Sequence, residues 1–474
     1  SRCRPRRQWK TPAAEISHKN LALPRPGPIK PRRMSILSRE ATVAAPGFSR
    51  WLVPPAAVAV HMCIGQVYAF SVFNRPLGAE LGQDVFWVNI AYQIALAMLG
   101  ISAAVFGKWV ERSGPRKTML ASCLCFCGGL LLTALGVKLK SLWLIWAGYG
   151  FVGGIGLGLG YIAPVSTLVK WFPDRPGMAT GMAIMGFGGG ALIGSPLAQE
   201  LMTRFARAPD TGAMSALMTM SALYACFMIF GAIIVRVPAA DWKPEGYEPK
   251  AAAFHGMITT ASVSVDTAWK TPQFWLLWTV LCMNVSAGIG VLGRAADMCQ
   301  DMFGVSVAIG AGFTGLLSIF NMGGRFVWSS ISDLTGRRTV YCIYFILGAA
   351  LYALLPYTQQ TQNRTLFVVC TALIISMYGG GFATIPAYLK DMFGTYQVGA
   401  IHGRLITSWS MAAVIGPLLI NGLYYSRVEA GVPKSEAYNN TFYLMCGLLA
   451  VGLVANLLVR PVNSKHHIQE APKA

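Results

Sequence analysis

Runs of about 20 mostly apolar residues recur along this chain, and each is long enough to cross a hydrocarbon layer of about 30 Å as a helix. They lie near 51–74, 87–107, 118–137, 142–169, 178–198 and 214–235, and again near 273–293, 305–331, 339–357, 366–388, 401–424 and 441–460. A polar stretch, 236–270, separates the two sets and carries Pro238, Pro244 and Pro249. The pattern predicts an all-α membrane protein with twelve transmembrane helices: six spans, a linker, then six more. The expected divisions are a basic tail at 1–50, a six-helix bundle at 51–235, a linker at 236–271, a second bundle at 272–461 and a short tail at 462–474.

Composition agrees. The 474 residues are 54% hydrophobic and only 12% charged, half the charged share of an ordinary soluble domain. Such a chain would aggregate in water, whereas lipid solvates its side chains. The net charge of +20 is uneven, because residues 1–33 hold ten Lys or Arg against one acid, Glu15. The segment from Met34 onward reads as a short cytoplasmic lead, and residues 1–33 read as upstream or vector-derived sequence. A basic tail can bind nucleic acid, but the reading here is a protein whose partners are the bilayer and a small solute, without nucleic acid or cofactor, working as a monomer.

Orientation follows from the basic residues. Connections after the second, fourth, eighth and tenth spans contain Lys108, Arg112, Arg116, Lys117, Lys170, Arg175, Arg337, Arg338 and Lys390. With the linker and both ends they carry about twice the basic charge of the opposite connections. Both termini and the linker are therefore expected in the cytoplasm of a bacterial inner membrane or a plasma membrane.

The halves repeat. Glu111, Gly114 and Arg116 recur at an offset of 222 as Asp333, Gly336 and Arg338, and Pro164 recurs as Pro386. Pro196 and Pro417 differ by 221, as do Trp171-Phe172 and Met392-Phe393. Shared offsets argue for two parallel six-helix repeats. The loop that begins at Gly107 and runs through Glu111, Gly114 and Arg116, with its copy at Asp333, Gly336 and Arg338, resembles the conformational signature of the major facilitator superfamily. In it an acid caps or pairs at a helix end and the glycine makes the turn. A narrower resemblance rests on GQVYAFSVFNRPL (65–77), KWFPDRPGMATGMAIMGFGGG (170–190), NMGGRFVW (321–328) and HGRLITSWSMAAVIGP (402–417), which look like the oxalate/formate antiporter family. That resemblance implies the major facilitator fold and secondary transport of small carboxylates.

An ionisable group inside a span is costly and needs a reason. Arg325 precedes Asp333 by eight residues, which places it about 12 Å inside its helix, near the bilayer middle. It is expected to face a water-accessible chamber between the repeats and to hold a carboxylate with its guanidinium fork. Pairing to backbone carbonyls or snorkelling is the blander role. The family's substrate-binding arginine on the eighth helix falls here. The same rise per residue puts Tyr161, Phe187, Phe382 and Trp409 at similar depth, with Tyr68 somewhat higher and Tyr378 one turn from Phe382. For each aromatic, ordinary packing is the competing explanation. Asn321 shares a face with Arg325 and stands where related monocarboxylate carriers have an Asp.

There are departures from the family pattern. The second cation of oxalate antiporters, a lysine on the eleventh helix, would fall at Ser408 or Trp409, and the cage tyrosine of the fifth helix is Phe187. One cation suits a monocarboxylate better than a dianion. His61 and His402 are the other titratable groups near mid-span, and a lone buried histidine is more often a packing residue. The glycines of GGIGLGLG (153–160) and GFGGG (186–190) suit close helix packing. Cys123, Cys125 and Cys127 read as small apolar packing residues. A carrier of the same fold for a drug or amino acid is the alternative. A sensor would need a signalling domain, and an enzyme a catalytic dyad or metal cluster, neither of which stands out.

Overall fold

The computed structural model describes residues 35–207, 210–240, 242–247 and 257–468. Residues 1–33, read as upstream or vector-derived, and residues 469–474 of the expected C-terminal tail lie outside the described residues. Six long helices precede the linker. α1 begins as Val53–Ile64, tightens to a 3₁₀ turn at Gly65–Ala69 and resumes as Ser71–Leu81. α2 is Val85–Ser113 and α3 Pro115–Lys138. α4 runs through Leu142–Ile145, a π segment Trp146–Gly153 and Gly154–Trp171. α5 is Pro176–Phe205 and α6 Ala213–Ile234. Six more follow: α7 Pro272–Phe303, α8 Val307–Thr335, α9 Arg337–Gln360, α10 Arg364–Phe393, α11 in two pieces, Val398–Leu405 and Thr407–Glu429, and α12 Asn439–Leu458.

Among the described residues, eleven of these helices are long and apolar enough to cross a membrane. The twelfth, α8, has 29 residues and packs between α5 and α10. The helix ends obey capping chemistry. Asp84 accepts from the Phe86 amide at 2.7 Å to start α2, and Asn363 accepts from Leu366 at 2.9 Å to start α10. Proline opens α3, α5 and α7, where its missing N–H costs no helical bond.

Apolar periodicity predicts the spans but not the breaks within them. α1 changes pitch at Gly65 because it runs backbone-to-backbone against α5: a β-carbon on Gly190 would stand 2.5 Å from the Gly65 Cα, and one on Gly65 would lie 2.9 Å from the Phe187 Cα. α11 breaks at Ile406, next to Trp409.

The two halves meet along α5–α8 and α2–α11. At the end of the bundle rich in basic loops, each repeated acid caps a helix of the opposite half. Asp333 accepts from the Gly177 and Met178 amides at 2.9 and 2.8 Å, at the start of α5. Glu111 accepts from the Gly399 amide at 2.9 Å, at the start of α11, and from Lys170 Nζ at 2.6 Å. A helix N-terminus attracts a carboxylate through its free N–H groups and dipole. The loop glycines have φ of +82° at Gly114 and +89° at Gly336, a region where a side chain would clash. Gly107 lies against α11, where a β-carbon would come 2.9 Å from the Ala400 Cα.

The basic members of the motif behave differently from the acids. Arg116 donates to the carbonyls of Ile36 and Ile233, and Arg338 to that of Leu457. Arg337 instead pairs with Asp333 at 2.6 Å and Asp391 at 3.0 Å. The linker adds a strap across the seam: Asp266 accepts from Lys108 of α2 at 2.6 Å and Arg404 of α11 at 3.2 Å. Those cations, Lys108 first, hold the Asp266 carboxyl below its usual range. The strap is exposed, so each pair contributes little. The part-buried caps matter more. Asp333→Ala is expected to loosen the first turn of α5 by about 2 kcal/mol, speeding amide exchange at Gly177 and Met178 by about 30-fold. Unchanged exchange at these two amides would show that the cap does not hold this end shut.

Candidate functional site

Arg325 lies on α8 at the level where α5 and α10 press against it, and no part of it is exposed. Three glycines make room for the side chain and its helix. A β-carbon on Gly188 would stand 2.7 Å from Arg325 Nε, and one on Gly379 would be 3.1 Å from its Cγ. One on Gly181 would be 2.7 Å from the Arg325 carbonyl oxygen. The guanidinium therefore fills the space that side chains on α5 and α10 would take.

Two of its three nitrogens are occupied. Nε donates to Asn321 Oδ1 at 3.2 Å, one turn earlier on α8, and Nη1 donates to the Ile184 carbonyl of α5 at 3.2 Å. Asn321 thus serves the arginine first. Nη2 is buried and has no partner among the described residues. The charge faces aromatic rings, with Cζ 4.9 Å from the Phe382 centroid and 5.7 Å from that of Phe187. Ring faces supply partial negative charge to a cation, but none of the ion pairs among the described residues includes Arg325. Buried Arg337, in contrast, has two carboxylates.

The aromatic layer expected from depth along the helices assembles around this charge. Tyr161 stands 5.6 Å from Phe187 and 5.3 Å from Phe382, and Phe187 stacks on Phe382 at 6.3 Å. Tyr68 meets Phe187 edge-on at 5.3 Å, and Trp409 lies 5.8 Å from Phe382. Tyr378 packs over Gly288 of α7, and its hydroxyl faces that of Tyr68 without closing a hydrogen bond of ordinary geometry. Tyr92 of α2, which sequence reading missed, joins those two tyrosines. Seven helices, α1, α2, α4, α5, α8, α10 and α11, each send a side chain to the layer.

Its chemistry is one-sided. The hydroxyls of Tyr68, Tyr161 and Tyr378, the indole N–H of Trp409 and Arg325 Nη2 are all buried with no hydrogen-bond partner among the described residues. Buried polar groups are normally paired, so five orphans in one layer are exceptional. Each can donate, and one carries a full positive charge. Donors without a carboxylate acceptor have the chemistry to accommodate an anion. The expectation of a water-lined chamber is corrected in one respect: Arg325 is fully enclosed, because the capped helices of the basic end hold the halves together in this conformation.

Further residues whose contacts sequence reading missed sit at that closed end. Lys170 and Arg337 were read only as basic loop residues and Asp391 was not singled out, since the Lys170–Glu111 and Arg337–Asp391 pairs span 59 and 54 positions.

Comparison with known proteins follows this geometry. The chain is 26% identical over 367 residues to the uncharacterized MFS-type transporter YhjX of Escherichia coli, across 77% of this chain and 86% of that one. It is 25% identical over 374 residues to the oxalate:formate antiporter of Oxalobacter formigenes, across 78% and 83% of the two chains. It is 26% identical over 457 residues to apicoplast pyruvate carrier 1 of Toxoplasma gondii, across 85% and 79%. In fold it matches the fucose:proton symporter FucP of E. coli with a TM-score of 0.63 at 13% identity, covering 87% of this chain and 100% of that one. The family profile described as Major Facilitator Superfamily matches residues 56–375 and 319–474. A match of that extent spans nearly all of the helical chain, and the protein belongs to the major facilitator superfamily of multi-pass membrane transporters.

Proposed function

We propose that this protein is a secondary carrier of small carboxylates, with monocarboxylates preferred, working by alternating access. The observation that carries the reading is the unpaired face of Arg325 within a ring of orphan hydrogen-bond donors. A carboxylate placed there accepts from the guanidinium and from Tyr161 and Tyr68, while Phe187, Phe382 and Trp409 exclude water. The bundles 51–235 and 272–461 then rock about this layer, and the 236–271 linker follows. The caps at Asp333 and Glu111 are the contacts that part when the basic end opens. That end faces the cytoplasm with both termini, in keeping with its excess of Lys and Arg. The carrier acts as a monomer, since the layer is complete within one chain.

Preference for monocarboxylates follows from charge. Within the ring of donors one guanidinium pairs one carboxylate, and the second carboxylate of a dianion has no cation there to pair with. Trp409→Lys is expected to shift selectivity toward dicarboxylates by about tenfold or more in competition uptake. Unchanged selectivity would refute the charge argument. The reading as a whole is tested by uptake into proteoliposomes with labelled formate, oxalate, pyruvate and lactate. Saturable uptake of at least one, inhibited by the others, is expected. No uptake of any, together with transport of amino acids or drug-like cations, would replace this reading with another.

A further inference from the structure

Two histidines lie beside the layer, and its anion chemistry does not use them. His61 of α1 and His402 of α11 are both fully buried. Their rings flank Tyr161 at 5.5 Å each, one on the first half and one on the second. His61 Nε2 meets the Tyr161 carbonyl oxygen at 3.2 Å, and its Nδ1 has no partner among the described residues. His402 has neither ring nitrogen partnered. A packing histidine normally satisfies at least one nitrogen. Here three of four are orphaned, next to the proposed substrate layer.

We infer that His402, with His61 across Tyr161, is a proton site coupled to the anion at Arg325, so that carboxylate and proton move together. The inference deepens the proposed carboxylate reading and rests on it. The surroundings fix the sign. Tyr161 of α4 faces both rings, Gly186 of α5 lies against His61, Arg325 of α8 is within electrostatic reach of His61, His61 and His402 are within reach of each other, and the uncharged Phe187 and Phe382 close over Tyr161. Gly403 of α11 meets the Ala103 backbone of α2. Toward the basic end come Glu111 and Lys170, already paired with each other, and on α11 itself Arg404 turns away to Asp266. The buried carboxylate at that end, Asp391, is held by Arg337. No carboxylate among the described residues therefore faces the histidines; the cation Arg325 acts on His61, and His61 in turn is the charged partner within reach of His402. While the layer is empty, that cation opposes protonation of an imidazole. A bound carboxylate cancels the cation and makes protonation easier. By linkage, protonation then strengthens carboxylate binding by the same factor.

Charge and protons balance. A ring nitrogen lone pair takes H⁺ from water on one side and returns it to water on the other. The loaded carrier holds Arg325⁺, one carboxylate and one imidazolium, a net +1, and the empty carrier holds Arg325⁺, also +1. The cycle thus moves one H⁺ with one anion and no net charge. His402 suits the release step because it sits on the α2–α11 seam, where Gly399 and Gly403 contact Glu111 and Ala103 across the halves. Opening the basic end would admit water there.

The test uses full-length protein in two formats. In detergent, pyruvate affinity of the wild type is measured at about pH 6 and about pH 8, where histidine titrates and pyruvate stays ionised. Affinity several-fold higher at the lower pH is expected, and equal affinity overturns the inference. In proteoliposomes, adding pyruvate outside is expected to alkalinise the external medium. His402→Gln is expected to lose most of that signal and the pH dependence while keeping pyruvate–pyruvate exchange at equal pH, with His61→Gln showing a smaller loss. Full proton movement in His402→Gln overturns the assignment. Wild-type exchange without proton movement overturns the coupling alone, whereas absence of both exchange and binding sinks the carboxylate reading beneath it.

Discussion

The Arg325→Ala variant is expected to insert into the membrane normally, bind small carboxylates at least about 100-fold more weakly than wild type and show no measurable uptake. The size follows from the site. Truncating one member of a desolvated charge pair costs about 3 kcal/mol or more, and each 1.4 kcal/mol is a factor of about ten. Its stability should move the other way. Arg325 is buried with no carboxylate partner among the described residues, so the ligand-free protein carries an uncompensated charge. Removing that charge relieves the fold. The variant's melting temperature in detergent should equal or exceed that of ligand-free wild type. Ligand-induced stabilisation by carboxylates should be absent. A large fall in melting temperature would mean that the arginine is a structural strut. Arg325→Lys should fall between, since a lysine keeps the charge but lacks the fork that holds Asn321, Ile184 and a carboxylate together.

A second large effect is expected at a residue with no functional group. Gly188→Val places a β-carbon 2.7 Å from Arg325 Nε and 3.2 Å from Cζ, before its two methyls are counted. The guanidinium must leave its present place, taking the anion anchor with it. Uptake should drop about as far as in Arg325→Ala, with the protein still in the membrane. Two neighbouring substitutions serve as controls. Gly189→Ala meets only the Met322 thioether, a flexible side chain, and Gly323→Ala on α8 meets nothing within 4 Å. Both should transport nearly as wild type. Equal uptake by Gly188→Val and Gly323→Ala would show that the position of the guanidinium does not matter.

Much of this architecture could be read from the chain because a bilayer imposes a simple rule: every span must be about 20 apolar residues, whatever it packs against. Depth was legible for the same reason. The loops after the second and eighth spans mark one end of the bundle, and a fixed rise per residue then places Arg325, Tyr161, Phe187, Phe382 and Trp409 in one layer. Asn321 was assigned to the arginine's face by its spacing of four, and it does hold Nε. The break in α1 at Gly65 and the π segment of α4 were not legible, since their composition matches the helices around them and their cause is a neighbouring backbone. The choice of Arg337 over Arg338 as partner of Asp333 was hidden too, because both stand in one Arg-Arg pair and only the helix phase separates them. His402 drew no attention as a partner of His61, because Tyr161, which brings them together, lies in a third segment.

The central claim, that a substrate carboxylate docks on Arg325, is tested most directly by solid-state NMR on reconstituted protein. The sample carries ¹⁵N-arginine and ¹³C-carboxylate-labelled pyruvate, and carbon–nitrogen dephasing is recorded for wild type and Arg325→Lys. A carboxylate carbon about 4 Å from guanidinium nitrogens in wild type, with the signal lost in the lysine variant, is the predicted result. Bound pyruvate whose carboxylate shows no dephasing in wild type, or equal dephasing in both proteins, would contradict it.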